Sequence, residues 1–595
     1  MVENNPFLEI TRQRGLEKYA PPYTPETFTH EEEKYLSPFF SNFDKPVFTI
    51  RNLPEEVVAA LLAMYSRAKK SLRRTFLEKY VNPIIHPESQ KGWQDLSLEE
   101  KNRELAKKEA FESSINSINE NGIEKVVNIQ RGRNFFDKWL VEFGDDSISE
   151  MGNIHLCIEG LSIIATKEIE DQRIGLSPIE KSTRYVDFSE KLPDGNYRYV
   201  VPGEIKGTAA EGPYRALMDD LFDMYSSLIG PYSDYIKKIF PKGEDETDIS
   251  FEKSRKAKTF DDIRDLLPFS TLTNLGLSGS GRAYEYLINR MADHPLGEMR
   301  YWAYAIASEL HMITPSFIRR VCAASGESVQ KYKRDIRDLA DDFSNEIFER
   351  QNEHEKIIGA RLLGYSKDGE IDVLAAYVFR GVGSPSFDEV REKIASLSKK
   401  ERREMFKRIF ATRYQGNENP RREEVRFRKI PRAFENSHYL FELWARGGDY
   451  RDLHRHRMLT QDRQPFTVKW GYDLEKEVLE SEFAEKIKQV LDLAAPFYES
   501  IAKDYPYLAQ YVVPLAYVQH WYMHLTAREM YYMAELRTGP QGRPHYRMIV
   551  QEMMEQVLRV HPDMFAGAMV DWNDYSLARR ESEKRIERKK KEFRT

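Results

Sequence analysis

Along most of this chain apolar residues recur at helical spacing, and the order of the patterned segments is written twice. Residues 47–80, VFTIRNLPEEVVAALLAMYSRAKKSLRRTFLEKY, open with a short apolar run, pass a Pro-containing turn and continue as a helix-like segment with a basic patch. Residues 378–410, VFRGVGSPSFDEVREKIASLSKKERREMFKRIF, repeat that order. The spacing of apolar positions after a Ser or Pro/Glu start predicts an amphipathic helix in both. In each copy a stretch carrying a glutamate, Glu150 or Glu435, then leads to a 14-residue motif, and a helix-rich segment follows. The pattern predicts a tandem duplication, with repeat 1 over 45–325 and repeat 2 over 370–575. Residues 1–44 read as an N-terminal extension, 326–369 as a connecting helix and linker, and 576–595 as a charged, solvated tail. Two stretches rich in Lys, Glu, Asp and Pro, 81–120 and 235–260, read as insertions.

The motif is QRIGLSPIEKSTRY from Gln172 to Tyr185 and RHRMLTQDRQPFTV from Arg455 to Val468. In the first copy Glu180, Ser182 and Arg184 alternate along a segment where Pro178 argues against a helix interior. On an extended chain such residues share one face, so carboxylate, hydroxyl and guanidinium can converge on a ligand. Guanidinium with hydroxyl suits phosphate, and carboxylate suits a sugar hydroxyl. The same residues also fit a Ser/Thr-rich turn with a surface Glu/Arg pair. In the second copy Arg455 and Arg457 flank His456; adjacent cations of this kind mark an anionic ligand or a solvated basic face. His454 and His456 lack the Cys or HExxH context of a metal site, and none is expected.

A further recurrence follows each motif. Arg264 and Arg282 are spaced like Gln510 and Arg528, and Arg290 and Arg537 follow on apolar helical backgrounds, where a guanidinium needs an anionic partner. Gly276, Gly279 and Gly281 form neither a P-loop nor GxGxxG, and serve close packing or turns.

Composition narrows the class. At 595 residues the chain exceeds one ordinary core, and 41% hydrophobic with 31% charged residues describes a folded protein with polar surfaces. A net charge of −6 provides no nucleic-acid footprint. Two cysteines, Cys157 and Cys322, make no disulfide framework, and no apolar run has membrane or signal-peptide length; the expectation is a cytoplasmic protein with neither nucleic acid nor membrane as partner.

Ser177, Glu180, Ser182, Arg184 and Tyr185 of the first motif, with Arg455, His456 and Arg457 of the second, resemble the RHRxxSxNExSxRY signature of the flavin-dependent thymidylate synthases. The resemblance implies an α/β fold of the α+β type, two tandem repeats each with a mixed sheet and long flanking helices. The family has one such unit per chain and assembles as a homotetramer, so this chain is expected to form a homodimer mimicking it. The implied activity is methylation of dUMP to dTMP with FAD as cofactor and methylenetetrahydrofolate and NADPH as co-substrates. It implies FAD contacts from Arg455, His456, Arg457, Arg528, Thr526 and Ser147, the family's NAR triplet reading Thr526, Ala527 and Arg528 here. It implies dUMP contacts from Glu180, Lys181, Ser182, Thr183, Arg184 and Arg264. Arg537 is implied to stabilise uracil ionised at N3, with Arg290 as its counterpart in repeat 1.

Each copy departs from the signature where the other keeps it. Repeat 1 has Gln172, Arg173 and Ile174 for RHR, and Asp145 for a family histidine. Repeat 2 has Arg463, Pro465 and Thr467 in the nucleotide loop, and Gln510 where repeat 1 has Arg264. The expectation is a working site that joins the repeat 1 loop to the repeat 2 RHR segment. The alternatives are a related flavin enzyme acting on another pyrimidine nucleotide and a catalytically silent nucleotide-binding scaffold.

Overall fold

The computed structural model describes residues 5–122, 129–136, 138, 140, 146–172, 174–348, 357–575, 577 and 579–592. Among the described residues eight strands pair into two sheets: β1 (Val47–Ile50), β2 (Asn153–Ser162), β3 (Leu176–Glu180) and β4 (Leu272–Ser280), then β5 (Gly359–Tyr365), β6 (His438–Arg446), β7 (Thr460–Arg463) and β8 (Val518–Thr526). The strand orders are β1-β2-β4-β3 and β5-β6-β8-β7, the same topology twice. Every pairing between these strands is antiparallel, so the sheets are antiparallel where a mixed sheet is expected from the resemblance. The helices among the described residues include, in chain order, α1 (Ile163–Glu170), α2 (Glu211–Ile239), α3 (Asp248–Ile263), α4 (Gly281–Met291), α5 (Gly297–Ile313), α6 (Ala324–Ile347), α7 (Gly447–Leu453), α8 (Ala527–Arg537), α9 (Pro544–Val560) and α10 (Arg580–Glu592).

The chain divides into two compact units that do not coincide with two continuous stretches of sequence. The first comprises Met1–Asp219, Phe269–Gln351 and Ile501–Val512; the second comprises Asp220–Pro268, Asn352–Ser500 and Val513–Thr595. Each unit thus includes a segment drawn from the other repeat: Ile501–Val512, which precedes β8, belongs to the first, and Asp220–Pro268, which precedes β4, to the second.

In the first unit the core forms under β1 and β2, where Phe40, Phe48, Leu61, Tyr65, Phe76 and Leu77 are all buried. Each such side chain contributes about 1.5–3 kcal/mol of burial. Tyr35, Leu36 and Phe39 of the N-terminal segment belong to this core, with the Phe39 and Phe76 rings edge to face at 5.2 Å. A bulge between Glu159 and Leu161 interrupts β2, with Gly160 at a φ of 76° and its N–H donated to Asn274 Oδ1 at 3.1 Å. The exchanged segment joins this unit through Tyr511, whose hydroxyl donates to Glu298 at 2.6 Å. Glu298 also accepts from the Ser162 backbone and hydroxyl and from Trp302.

The second unit carries its exchanged segment on charge. Asp265, in the turn after α3, accepts from Arg543 at 3.0 Å and lies 3.4 Å from Arg446, while Glu475 accepts from both arginines at 2.9 Å. Asp449 in the first turn of α7 takes Arg446 at 2.8 Å. Both guanidiniums are fully covered. The approach needs a glycine at Gly448, because a Cβ there would meet Asp265 Oδ1 at 2.9 Å. The stretch 235–260, expected as an insertion, includes most of α3, whose Ser254, Ala257 and Lys258 are buried within this unit. Tail helix α10 is anchored to the same segment by Arg580–Glu246 at 2.6 Å and Lys584–Asp245 at 2.9 Å.

Replacing Asp265 with Ala leaves Arg446 and Arg543 with one fewer carboxylate in a buried site. The expected loss is about 3–5 kcal/mol, read as a lower midpoint in denaturant unfolding; an unchanged midpoint would mean that the remaining carboxylates suffice.

Candidate functional site

Both motif copies occupy the edge strand next to the central strand, in the same register. Ser177 pairs with Ser278, two residues before the end of β4 at Ser280, and Thr460 pairs with His524, two residues before the end of β8 at Thr526. Glu180 and Arg463 likewise pair with Leu275 and Trp521, five residues before those ends. The alignment read from the letters is therefore the alignment of the backbone. Ser280 and Thr526 each cap the following helix, the hydroxyls accepting from Ala283 and Glu529 N–H. The next residue but one is an arginine in both units, and each is paired to the equivalent glutamate: Arg282 to Glu150 at 2.9 Å and Arg528 to Glu435 at 2.7 Å.

In the first unit, strand geometry ends at Glu180, and residues 183–185 form a turn. The turn is closed by Ser182: its carbonyl accepts from Tyr185 and Val186 N–H, and its hydroxyl from Arg184 N–H at 3.3 Å. The expected shared face of Glu180, Ser182 and Arg184 on an extended chain does not form. The Glu180 carboxylate is fully covered and lies 3.2 Å from the Lys167 ammonium, itself fully covered. Thr183 is buried, while Ser182 and Arg184 are half-buried. Lys181 is buried with its ammonium 3.4 Å from the Lys69 carbonyl and 5.8 Å from the Tyr65 ring centre. Burial pulls its pKa down to about 8, opposed in part by Glu159. It lines a cavity of about 330 Å³ shared with Tyr23, Glu159, Arg198 and Asn274.

Three expected site residues fall elsewhere. Arg264, counted with repeat 1, lies in the second unit, where its guanidinium donates to Gly448 O and Asp452, both at 3.2 Å. Arg290 is not the counterpart of Arg537: counted from the caps Ser280 and Thr526, it aligns with Leu536, and Met291 aligns with Arg537. A one-residue offset turns a helical side chain by about 100°, and Arg290 donates instead to the Glu168 carbonyl. Ser147 is exposed in the short turn Asp146–Glu150. Asp145 and Arg173 lie outside the described residues.

The second unit assembles the most chemically specific arrangement. His456 is buried; its Nδ1 is 2.7 Å from a Glu529 carboxylate oxygen, and Arg537 donates its Nε–H to His456 Nε2 at 3.0 Å. Arginine can only donate, so Nε2 is the lone-pair nitrogen and Nδ1 carries the proton. This assigns a neutral imidazole. Burial lowers the His456 pKa below its ordinary value; the hydrogen bond to Glu529 opposes this and the Arg537 charge reinforces it. Arg537 is spent only through Nε: its two terminal nitrogens have no hydrogen-bond acceptor among the described residues. Arg455 is exposed and Arg457 half-buried, so the RHR run turns its histidine inward and its arginines outward. A cavity of about 450 Å³ adjoins, lined by Lys429, Glu435, Met458, Thr526, Arg528 and Tyr532 among others, with Glu529 in its wall.

Glu529 escaped sequence reasoning. Thr526-x-x-Glu529 reads as a capping box, in which the glutamate returns to the cap backbone; here only the threonine half of the box forms, and the carboxylate goes to His456. Its position in the first unit is held by Ala283, so only a comparison of the two helices flags it. Among the described residues, no group of three or more His, Cys, Asp or Glu side chains is arranged to hold a metal ion, and no helix is long and apolar enough to cross a membrane.

A histidine whose pKa is lower folded than unfolded stabilises the fold above its ordinary value of 6.5, and that contribution is lost as pH falls below it. The stability difference between the wild type and His456→Gln is therefore expected to shrink from pH 7.5 to pH 5.5 in paired denaturation curves. A difference that grows on acidification would indicate an imidazolium instead.

The family model described as thymidylate synthase complementing protein matches residues 94–316 and 366–563. A UPF0159 protein of Chlamydia muridarum is 33% identical over 562 residues, covering 94% of this chain and 98% of the relative. One from Chlamydia pneumoniae is 32% identical over 572 residues, with the same coverage of both. One from Thermoplasma acidophilum is 32% identical over 490 residues, covering 77% of this chain and 93% of the relative. Two matched segments, two sheets of one topology and two motifs in one register have a single explanation: the chain belongs to the thymidylate synthase complementing protein family and carries its unit twice.

Proposed function

We propose that this protein is a flavin-dependent thymidylate synthase, making dTMP from dUMP by reductive methylation with methylenetetrahydrofolate and NADPH. The observation that carries the reading is Arg537, oriented through Nε by a neutral His456 and presenting two unclaimed N–H-bearing nitrogens. Such a group suits an anion that develops on a planar base. Placed against uracil, it favours the form ionised at N3 and raises the nucleophilicity of C5. Glu529 and His456 act as positioning residues: a protonated imidazole would repel the guanidinium, and burial prevents it.

The donor set fits FAD. Arg528 and Lys429 offer cations and Tyr532 an aromatic face around one cavity, and Arg455 and Arg457 supply outward guanidiniums for phosphates. Thr526 holds the helix that carries Arg528. Bound there, a reduced flavin would supply the hydride that converts the transferred methylene unit into the methyl group. For the nucleotide we assign Ser182, Thr183 and Arg184, whose turn suits a phosphate, with Lys181 as a cation behind it. Glu180 is reassigned to anchoring the loop through Lys167, and Arg264 to fixing α7 ahead of the RHR run. Ser147 retains only the support of the resemblance, and no role is assigned to Arg290 in catalysis.

Purified protein loaded with FAD is expected to show a bound-flavin absorbance band and to release tritium from 5-labelled dUMP when given methylenetetrahydrofolate and NADPH. Flavin binding without tritium release would sink the synthase reading. Arg537→Gln is expected to lower kcat by about 10²–10³-fold with the flavin retained, whereas Arg290→Gln leaves turnover unchanged. Arg457→Ala should lose flavin, and Arg184→Ala should raise KM for dUMP. Retention of wild-type binding by either would remove that residue from the site.

A further inference from the structure

Successive side chains of a strand point to opposite faces of its sheet, and the pair at the end of β3 follows that rule. Glu180 goes to Lys167 on one side, and Lys181 enters the cavity of about 330 Å³ on the other. The roof of this cavity is residues 22–26 of the N-terminal extension. It is pinned at both ends. Before it, the chain crosses Gly203, where a Cβ would meet Lys18 O at 2.6 Å; after it, Arg74 lies 3.4 Å from Glu26 and donates to Thr27 O at 2.7 Å. Roof and rim residue Lys69 lie outside the segments that match the family, residues 94–316 and 366–563, so the matched unit alone does not make this enclosure.

The carboxylates around the cavity have donors. Glu159 accepts from the Tyr23 hydroxyl at 3.3 Å and the Tyr65 hydroxyl at 3.1 Å, Asp187 from Ser189 at 2.6 Å, and Glu26 from Ser71, while Glu190 lies 3.8 Å from Arg198. The donors lack acceptors. Lys181 is 7% exposed and has one acceptor, the Lys69 carbonyl at 3.4 Å, for three protons. Arg198 gives its Nε–H to Glu190 O at 2.8 Å, and its terminal nitrogens have no hydrogen-bond acceptor among the described residues. Nor has Asn274 Nδ2, whose Oδ1 holds Gly160 N–H. A buried ammonium with unused protons is costly unless an acceptor reaches it.

The second unit fills the equivalent positions differently. Trp444 pairs with His520 as Glu159 pairs with Asn274, and the Gln464 N–H donates to His520 O as the Lys181 N–H does to Asn274 O. Trp470, six residues after Gln464, stands where Asp187 does. Trp444 and His520 stack at 4.8 Å, and Trp470 packs 5.2 Å from His520. Rings thus occupy the positions that line an open cavity with donors in the first unit.

We propose that this cavity binds a small organic oxyanion, a carboxylate or phosphate monoester carried on a single ring, with Lys181, Arg198 and Asn274 as its donors. Size and wall set the body of the ligand. A volume of about 330 Å³ is at the lower end for small-molecule sites, and Val186, Phe188 and Leu272 give it apolar sides. The ligand lies behind the nucleotide turn and is independent of the synthase reading, requiring neither flavin nor a residue of the second unit.

The test labels the full-length protein, without FAD or dUMP, with pyridoxal 5′-phosphate, which carries an aldehyde and a phosphate on one ring. The aldehyde condenses with an amine, losing one water to give an imine, and borohydride adds hydride to fix it as a secondary amine. Burial pulls the Lys181 pKa down to about 8, so at pH 8 part of the population is free amine. Peptide mass mapping is expected to find Lys181 labelled ahead of the exposed rim residues Lys69 and Lys70. Protection by phenyl phosphate assigns a phosphate ester, and protection by benzoate a carboxylate. Arg198→Ala is expected to raise the protecting concentration about tenfold, and a melting temperature equal to the wild type separates lost binding from lost folding. An unlabelled Lys181, labelling that neither anion reduces, or a protecting concentration unchanged in Arg198→Ala would overturn the proposal. So would protection by dUMP at lower concentration than either anion, which would give the cavity to the nucleotide.

Discussion

The second unit depends on one interaction above the others: two fully covered guanidiniums, Arg446 and Arg543, held by Asp265, Asp449 and Glu475. Each charge removed from water costs several kcal/mol, and only a closed set of partners repays that cost. What the cluster achieves is placement. Arg446 ends β6, Asp449 opens α7, Arg543 precedes α9 and Asp265 arrives with the segment from the first repeat. Three separate stretches of sequence, around Asp265, Arg446–Asp449 and Arg543, are thereby tied at one point, just ahead of the turn that presents Arg455, His456 and Arg457. The corresponding point in the first unit is solved with neutral groups around a single carboxylate, Ser162, Trp302 and Tyr511 about Glu298. The same topology is thus held by two different chemistries.

The duplication was legible because it is written in backbone register, which the letters of the motif follow. The period of apolar residues identified α6 as a helix and the paired arginines after the motifs as equivalents. The division of the chain was not legible, because it is decided by tertiary contacts. Nothing local in Lys258 or Arg264 says that they pack with residues far along the chain. The letters were read best in the motif itself, whose two copies lie in equivalent positions along β3 and β7. The site was read worst where a side chain leaves its local pattern: Glu180 turns to Lys167, Glu529 abandons its capping box for His456, and Arg290 sits one position from the place its resemblance to Arg537 suggested.

The two units differ at the His456–Glu529–Arg537 arrangement. Two of the three positions in the first unit are Ala283 and Met291, which preserve the helix but can neither accept nor donate. The Glu150–Arg282 and Glu435–Arg528 pairs, by contrast, persist in both. The Glu–Arg pairing thus stands in both units, while the histidine polarised by a glutamate and an arginine is described in the second.

The exchange of segments bears on the order in which the protein can be completed during synthesis. The first unit includes Ile501–Val512, so its Tyr511–Glu298 contact cannot close when Gln351 has been made. At ordinary elongation rates about 8–30 s separate those two points. During that interval Ser162, Trp302 and Glu298 stand without the hydroxyl of Tyr511. A chain released before residue 501 therefore lacks segments of both units.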